Sequence, residues 1–230
     1  MGRRSDHSRA ELQALIVAVG HGLMAEQGFA RFSTREVAKR IGYSVGTIYN
    51  MFENADALVV AINTCTFALW ADHLKAALRV AGDDRIGALV EGYFDFAQTN
   101  PNLWMAIYEH RIPTTMPIPE SDAATRAVLT AIVIEEVARA LDSEIDASVS
   151  ALSRSLIATV HGHCAFAVSG SFALMGEDQP VDIALARVRE ILDAHGAVRL
   201  DAPRGFEPRL TESESVVLPL DDRAMPAPRR

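Results

Sequence analysis

A short segment near the amino end, residues 33–52, carries small and planar side chains that can hydrogen-bond to nucleic acid. Asn50 can pair with the edge of adenine, Thr47 can reach a base or a phosphate, and Val45 can contact the methyl group of thymine. Arg35 can reach guanine or a phosphate. No acidic residue lies between Val45 and Asn50. This segment therefore predicts contacts to a DNA duplex.

Two short helices are predicted to position these side chains. Ser33 and Glu36 have the spacing of a capping box, which would start the first helix, and Gly42 can adopt the left-handed conformation that ends it. Ser44 can cap the second helix. Two helices joined by a glycine-bearing turn form a helix-turn-helix, whose second helix lies in the major groove. The alternative is a tight helical corner of an ordinary core, which the apolar positions alone would also allow.

Residues 9–62 resemble the N-terminal domain of the TetR family of transcriptional repressors. The residues that carry the resemblance are 33–38, 42–49, Phe52, Asn54 and Leu58. The resemblance implies that eight residues face DNA, and that Tyr49 and Thr47 touch phosphate. These eight residues are Thr34, Arg35, Ser44, Val45, Gly46, Thr47, Tyr49 and Asn50.

One position departs from the family pattern. The family usually has a lysine where this chain has Ala55, and that lysine contacts the DNA backbone. Arg3 and Arg4, on an amino-terminal arm, could supply positive charge instead by entering a minor groove.

The chain is predicted to be all-α, since in no stretch do apolar and polar residues alternate with a period of two for long enough to require a strand. Residues 1–54 are predicted to form an arm and a three-helix DNA-binding domain, and residues 55–198 a helical-bundle domain for ligand binding and dimerisation. Residues 199–230, which hold four prolines and no period, are predicted to be a loosely ordered tail. Helices are expected at 9–28, 34–41, 45–51, 55–80, from 83 or 84 to Asn100, then at 102–110, 121–141, 144–172 and 181–194.

The charge distribution is uneven along the chain. The net charge of −8 argues against DNA binding when it is taken as an average. Residues 1–60, however, carry seven basic and six acidic side chains, whereas the remainder carries 15 basic and 24 acidic ones. This asymmetry is typical of a nucleic-acid module attached to an acidic body.

An uncharged stretch, residues 155–176, is long enough to cross a bilayer. It contains two histidines together with serines and glycines, so a helix buried inside the protein or between two copies fits better than a membrane span. Both cysteines, Cys65 and Cys164, lie in apolar stretches, which favours a reducing compartment. A cytoplasmic protein without a membrane partner is therefore expected.

The resemblance implies that the body binds a small-molecule effector and forms a homodimer, through helices at about 144–172 and 181–194. Binding of a small hydrophobic ligand would then release the repressor from a near-palindromic operator, with helix 55–80 as the lever. Four residues are expected to bind the ligand, because each combines an apolar surface with a hydrogen-bonding atom. They are His73, Trp104, Tyr108 and His163.

Two other functions stay open at this stage. A small helical enzyme could use His161, His163 or Cys164, but the sequence contains no nucleophile–base set, no cofactor motif and no metal-ligand spacing, so no catalytic residue, cofactor or metal is predicted. A DNA-binding structural protein without a ligand is the other possibility.

Overall fold

The computed structural model describes residues 7–201, with side chains described through residue 196, and every regular element in this part of the chain is a helix. The helices are α1 (Arg9–Gln27), α2 (Thr34–Ile41), α3 (Val45–Met51), α4 (Ala55–Val80), α5 (Arg85–Thr99), α6 (Pro101–Glu109), α7 (Glu120–Ala140), α8 (Ala147–Val168), α9 (Ser171–Leu174) and α10 (Pro180–Asp201), with a 3₁₀ turn at Phe29–Arg31. The all-α fold predicted from the sequence is confirmed.

Side-chain caps start most of the long helices. Asn54 accepts a hydrogen bond from the Ala57 N–H, Asp84 caps α5, and Asp146 caps α8. Each cap satisfies one of the backbone donors that a helix start leaves free. A complete capping box occurs at the start of α1, where Ser8 and Glu11 exchange hydrogen bonds of 3.3 and 2.7 Å.

The capping box predicted at Ser33 and Glu36 is wrong. Ser33 precedes α2 as expected, but its side chain makes no capping hydrogen bond. The Glu36 carboxylate lies 3.7 Å from both Lys39 Nζ and Arg40 Nε instead. Glu36 therefore pairs with cations further along α2 and does not reach back to the start of the helix.

The single helix predicted over 144–172 is two helices. Gly170 has a φ of 75°, a left-handed conformation that ends α8 and starts the short α9. In contrast, α10 continues past the predicted end at 194 to Asp201, so it includes the first residues that were assigned to the tail. Residues 202–230 lie outside the described residues, as do Arg3 and Arg4.

Two hydrophobic cores form, one at each end of α4. The amino-terminal core consists of Leu12, Ile16, Leu23, Met24, Val37, Ala38, Ile48, Phe52, Leu58, Val59, Ile62, Leu103 and Ala106. The body core consists of Trp70, Ala71, Leu74, Leu78, Leu89, Val90, Tyr93, Phe94, Phe96, Ala97, Trp104, Ile132, Val137, Ala138, Val149, Leu156, Val160, Cys164, Ala184, Leu185, Val188 and Leu192. The first turns of α4 thus pack in the amino-terminal core, and the domain boundary after residue 54 stays a prediction.

The nine-residue α6 belongs to both cores. Leu103 and Ala106 pack in the amino-terminal core, whereas Trp104 packs in the body core. Neighbouring positions on a helix point about 100° apart, so successive residues of one short helix can serve two cores.

Hydrogen bonds also fix α6 against the amino-terminal helices. Asn102 Nδ2 donates to the backbone carbonyl of Ala25 at 2.7 Å, and Asn63 Nδ2 donates to that of Ala106 at 3.2 Å. His110, which is buried at the end of α6, has its Nε2 atom 3.1 Å from a carboxylate oxygen of Asp56. A movement of α6 would therefore be transmitted to α1 and α4.

Within the described residues, α4 is long and apolar enough to cross a membrane by length and composition, whereas the uncharged stretch 155–176 does not meet those criteria. In the most apolar window of 18 residues in α4, 56% of the positions are buried inside the protein. Its contacts with α5, α6 and α7 account for this burial. The apolar composition of α4 is accordingly explained by its position at the centre of the helical assembly.

Candidate nucleic-acid interface and ligand site

The turn between α2 and α3 is fixed by a backbone motif that requires glycine. Gly42 has φ 74° and ψ 26°, and its N–H bonds to the Lys39 carbonyl at 3.2 Å. The next N–H, that of Tyr43, bonds to the Ala38 carbonyl at 3.0 Å. These two bonds form a Schellman motif, which sets the angle at which the chain leaves α2. The predicted glycine stop at Gly42 is thereby confirmed.

A side-chain cap then starts α3. Ser44 Oγ accepts a hydrogen bond of 3.1 Å from the Thr47 N–H and lies 2.9 Å from Thr47 Oγ1. Ile48 is completely buried in the amino-terminal core, so the opposite face of α3 is turned to solvent. Tyr49, with 46% of its surface exposed, and Asn50 lie on that outer face.

None of the eight residues predicted to face DNA is buried. The exposed ones are Arg35, Ser44, Gly46, Tyr49 and Asn50, and the half-buried ones are Thr34, Val45 and Thr47. The structure therefore leaves this whole set accessible along the start of α2 and the length of α3. Their contact with DNA stays a prediction.

Ion pairs neutralise two of the three cations on α2. Arg40 forms a bidentate pair with Glu26 at 2.7 and 2.9 Å, and Lys39 lies near Glu36. The Arg40 hydrogen bond lowers the pKa of the Glu26 carboxyl below its ordinary value. Arg35 makes no ion pair with any described residue. Arg35 is thus the cation of α2 that is available to a phosphate or a guanine.

Two residues at the start of α1 join this surface, and the sequence analysis did not predict them. Arg9 Nη2 donates to the backbone carbonyl of Asn50 at 3.3 Å, and His7 Nδ1 lies 3.1 Å from the Tyr43 hydroxyl. A basic residue in the first turn of a helix opposes the helix dipole. That unfavourable position was the signal in the sequence that Arg9 has a tertiary role.

In the body, four aromatic side chains from three helices pack together, and hydrogen bonds join three of them. The Tyr93 hydroxyl on α5 lies 3.1 Å from the Tyr108 hydroxyl on α6 and 3.0 Å from His161 Nδ1 on α8. The rings of Tyr108 and His161 are 4.1 Å apart, and each has its centroid 5.2 Å from that of Trp104. We call these four residues the aromatic cluster.

The aromatic cluster is electrically neutral near pH 7. Burial, with a smaller effect of the Tyr108 hydroxyl, raises the pKa of Tyr93 far above its ordinary value. Burial also lowers the pKa of His161, which favours the uncharged imidazole. The cluster therefore offers hydroxyl and imidazole groups for hydrogen bonds but no charge, and it suits a neutral polar or aromatic molecule.

The four residues predicted to bind a ligand do not share one site. Trp104 and Tyr108 both belong to the aromatic cluster. His73 lies 3.2 Å from Asp95 and lines an open groove of about 770 Å³ between α4 and α5. His163 Nδ1 lies 2.8 Å from the Thr159 carbonyl, and its ring packs on Phe172. Ligand binding by any of the four stays a prediction. Of these four, only Trp104 and Tyr108 lie together, in the aromatic cluster.

Tyr93 connects the aromatic cluster to a small apolar cavity of about 50 Å³ in the body core. Its walls come from α4, α5, α7, α8 and α10, and are formed by Leu74, Ile86, Leu89, Val90, Tyr93, Val133, Val137, Leu156, Ile157, Val160 and Val188. Sequence reasoning missed Tyr93 and assigned His161 no ligand role, because the two are 68 positions apart and only the packing of α5 on α8 brings them together.

The residues considered for catalysis do not assemble a nucleophilic site. Cys164 is fully buried, and burial raises the pKa of its thiol to about 12, so it is protonated at neutral pH. His161 bonds to Tyr93, and His163 to a backbone carbonyl. In the part of the chain that the structure describes, no three histidine, cysteine or acidic side chains come together as metal ligands.

Two family models match this chain. Residues 16–62 match the model described as bacterial regulatory proteins of the tetR family, and residues 86–191 match the tetracyclin repressor-like C-terminal domain. The first range contains α2 and α3, and the second contains the aromatic residues of α5, α6 and α8.

A relative and two solved structures are similar to the chain. The HTH-type transcriptional regulator Rv1816 of Mycobacterium tuberculosis is 26% identical over 134 residues, which is 56% of this chain and 57% of that protein. A tetR-family transcriptional regulator from Streptomyces coelicolor superposes with a TM-score of 0.58 at 17% identity, covering 86% of this chain and 85% of its own. The structure of RolR in complex with resorcinol superposes with a TM-score of 0.59 at 15% identity, covering 85% of this chain and 95% of its own.

These comparisons differ in what they show. The chain spans a little over half of the length of the curated relative, and the two structural likenesses, both at low identity, show the fold. The two family models together extend over the helix-turn-helix and most of the body. On this evidence the chain belongs to the TetR family of bacterial regulatory proteins.

Proposed function

We propose that this chain is a DNA-binding transcriptional regulator, a repressor that leaves a near-palindromic operator when a small hydrophobic ligand binds. The observation that carries the proposal is the corner of α2 and α3, which presents Val45, Gly46, Thr47, Tyr49 and Asn50 to solvent while Ile48 is buried. Short side chains at Val45, Gly46 and Thr47 allow the helix backbone to approach base edges closely, and Asn50 can read adenine. A regulator of this kind acts on the chromosome and is expected in the cytoplasm.

Selection of bound sites from a random DNA pool tests this function. A selected palindrome, with half-sites about one helical turn apart or a multiple of it, supports the proposal, and a pool without enrichment contradicts it. Asn50→Ala should weaken binding to the selected site by about 1–3 kcal/mol and relax the preference at one base pair. Gln98→Ala, exposed on α5, is the matched control and should leave binding unchanged.

We propose that the protein is a homodimer through α8 and α10. The outer face of α8 supports this, because it carries no charge from Ser155 to its end and exposes small residues and one phenylalanine. These exposed residues are Ser155, Ala158, Gly162, Phe166 and Ser169. A Cβ built on Gly162 meets nothing within 4 Å, so a partner helix can approach closely there.

Gly162→Glu should dissociate this dimer, because it places a charge at the centre of an apolar interface. Ala131→Glu, exposed on α7, is the matched control. Sedimentation of both variants measures the outcome, and a wild-type chain that sediments as a monomer contradicts the dimer.

The effector is proposed to bind between the aromatic cluster and the apolar cavity. That cavity, at about 50 Å³, is far below the roughly 300–1,000 Å³ of ordinary ligand pockets. A ligand must therefore displace helices when it enters. RolR, which shares the fold, was solved with resorcinol, a small phenol, and a neutral phenol also suits the uncharged hydroxyl and imidazole groups of the aromatic cluster here.

Both α4 and α6 are in a position to transmit this displacement. Trp104 and Tyr108 on α6 would touch the ligand, while Leu103, Ala106 and the Asn102 side chain hold the same helix to the amino-terminal core. A ligand shifts operator affinity only by its differential affinity for the two arrangements. Titrating phenols against the labelled operator should show weaker DNA binding in the wild type, and the same titration of Tyr93→Phe should show a smaller effect.

A further inference from the structure

A crevice of about 390 Å³ lies between the end of the helix-turn-helix and the proline-rich connection from α6 to α7. One wall is formed by the last turn of α3 and the first turns of α4, and the other by residues 116–122. It lies outside the body core and shares no lining residue with the 50 Å³ cavity described above. Its volume falls in the range of small-molecule sites.

Apolar side chains form most of the crevice surface. Phe52 and Val60 are almost completely buried at its base, and Met51, Met116 and Pro117 line its sides. Methionine side chains adapt to the shape of an occupant because they are unbranched and flexible. The crevice can therefore hold an apolar group of variable shape.

Two carboxylates lie at the same crevice, Glu53 after α3 and Asp122 in the first turn of α7. Neither forms an ion pair with a described residue. Arg126, one turn beyond Asp122, directs its guanidinium to the Val60 carbonyl at 3.2 Å and to Thr64 Oγ1 at 3.3 Å. Together, Glu53, Asp122 and Arg126 carry a net charge of one negative unit beside the apolar side chains of the crevice.

We propose that this crevice binds a small amphipathic organic cation, with its apolar part against Met51, Phe52 and Met116 and its ammonium group between Glu53 and Asp122. An anion would be repelled by both carboxylates, and a neutral apolar molecule would gain no attraction from them. A flexible cation of about ten heavy atoms fits the volume and the single excess charge. The site is separate from the proposed effector site, and it does not depend on operator binding.

Calorimetry with octyltrimethylammonium tests the site in the full-length protein, with 1-octanol as the uncharged probe of the same chain length. The wild type should bind the cation about fivefold more tightly than the alcohol, the size of effect expected for a partly exposed charge pair. Glu53→Gln should weaken binding of the cation about fivefold and leave binding of the alcohol unchanged. Glu135→Gln, an exposed carboxylate on α7 that lies at neither the crevice nor the groove beside His73, is the matched control and should bind as the wild type does.

A second pair of variants tests the volume of the crevice. Ala57→Leu fills the space beside Met51 and should weaken both probes at least tenfold, whereas Ala76→Leu, on the exposed side of the same helix, should not. Circular dichroism melting shows whether each variant is folded. If Ala57→Leu does not fold, the binding measured for Glu53→Gln decides the outcome. Equal binding of the cation and the alcohol by the wild type, or equal binding of the cation by Glu53→Gln and Glu135→Gln, overturns the proposal.

Discussion

The helix-turn-helix and the aromatic cluster are built in opposite ways. The Schellman turn at Gly42 and the Ser44 cap, which set the corner of α2 and α3, arise within a few consecutive residues, although α1 adds support through Glu26 and Arg9. The aromatic cluster draws its side chains from α5, α6 and α8, and its central bond joins positions 68 residues apart. A surface shaped by neighbours in the chain can be predicted from the sequence, whereas a site assembled from distant helices depends on how those helices pack.

The two regions meet in α6. Its body face carries Trp104 and Tyr108, and its other face carries Leu103 and Ala106. The amino-terminal core and the aromatic cluster are thus packed on the two sides of one helix of nine residues.

The largest effect is expected from the buried anchor of α3. Ile48→Ala removes a fully buried side chain from the amino-terminal core and should lower the free energy of unfolding by about 2–4 kcal/mol. Tyr49→Ala, one position further on the exposed face, should change it by less than about 0.5 kcal/mol. Urea denaturation measures both. Similar losses in the two variants would show that the corner is not held by its local core.

A comparable effect is expected from a non-local ion pair in the body. The Glu136 carboxylate is buried and accepts two hydrogen bonds from Arg85, at 2.6 and 2.7 Å, across 51 residues. Glu136→Ala leaves Arg85 without this partner and should lower the free energy of unfolding by about 3 kcal/mol at pH 7.

The same pair gives a pH dependence. The Arg85 hydrogen bond lowers the pKa of Glu136, so the stabilisation is complete above the ordinary carboxyl pKa of about 4.3 and is lost as the pH falls through the lower value of the folded state. Measured by urea denaturation, the free energy of unfolding of the wild type should approach that of Glu136→Ala as the pH falls from 7 to 3. A difference between the two proteins that stays constant over this range would contradict the assignment.

Gly42 and Gly46 separate the backbone requirement of the turn from the properties of the outer face of α3. Gly42→Ala forces a side chain into a left-handed conformation and should cost about 1–2 kcal/mol. Gly46→Ala lies inside α3, where its Cβ would meet only Ser44 Oγ at 3.6 Å, so it should stabilise the helix by about 0.5–1 kcal/mol while weakening operator binding. Thermal unfolding and gel-shift titration measure the two properties. Stabilisation by both alanines would refute the turn requirement.

The smallest effect is expected from His161. Because burial lowers its pKa, the folded protein resists protonation that the unfolded chain accepts, so stability should fall as the pH drops below the ordinary histidine value of about 6.5. His161→Gln removes this titration and should reduce the fall of the melting temperature between pH 7 and pH 5, leaving the part due to His21, whose pKa burial also lowers. A wild-type melting temperature that is already flat in this range would contradict a neutral His161.

Sequence patterns were most informative where short-range rules apply. The bounds of α2 and α3, the glycine stop at Gly42 and the Ser44 cap follow from interactions within four or five residues, and the structure confirms them. The capping box at Ser33 failed although its spacing was correct, because Glu36 had competing cations one turn away on the same helix. A spacing rule identifies possible partners, but it does not rank them.

The sequence by itself determined the all-α fold, the helix-turn-helix and the residues that it turns outward, because periodicity, caps and glycine act between near neighbours. Only the tertiary structure decided which ligand candidates share a space. It placed Trp104 and Tyr108 beside Tyr93 and His161, and it placed His73 and His163 on other surfaces. The physical reason is that the relative positions of distant helices depend on the packing of both cores together, and no local pattern encodes that packing.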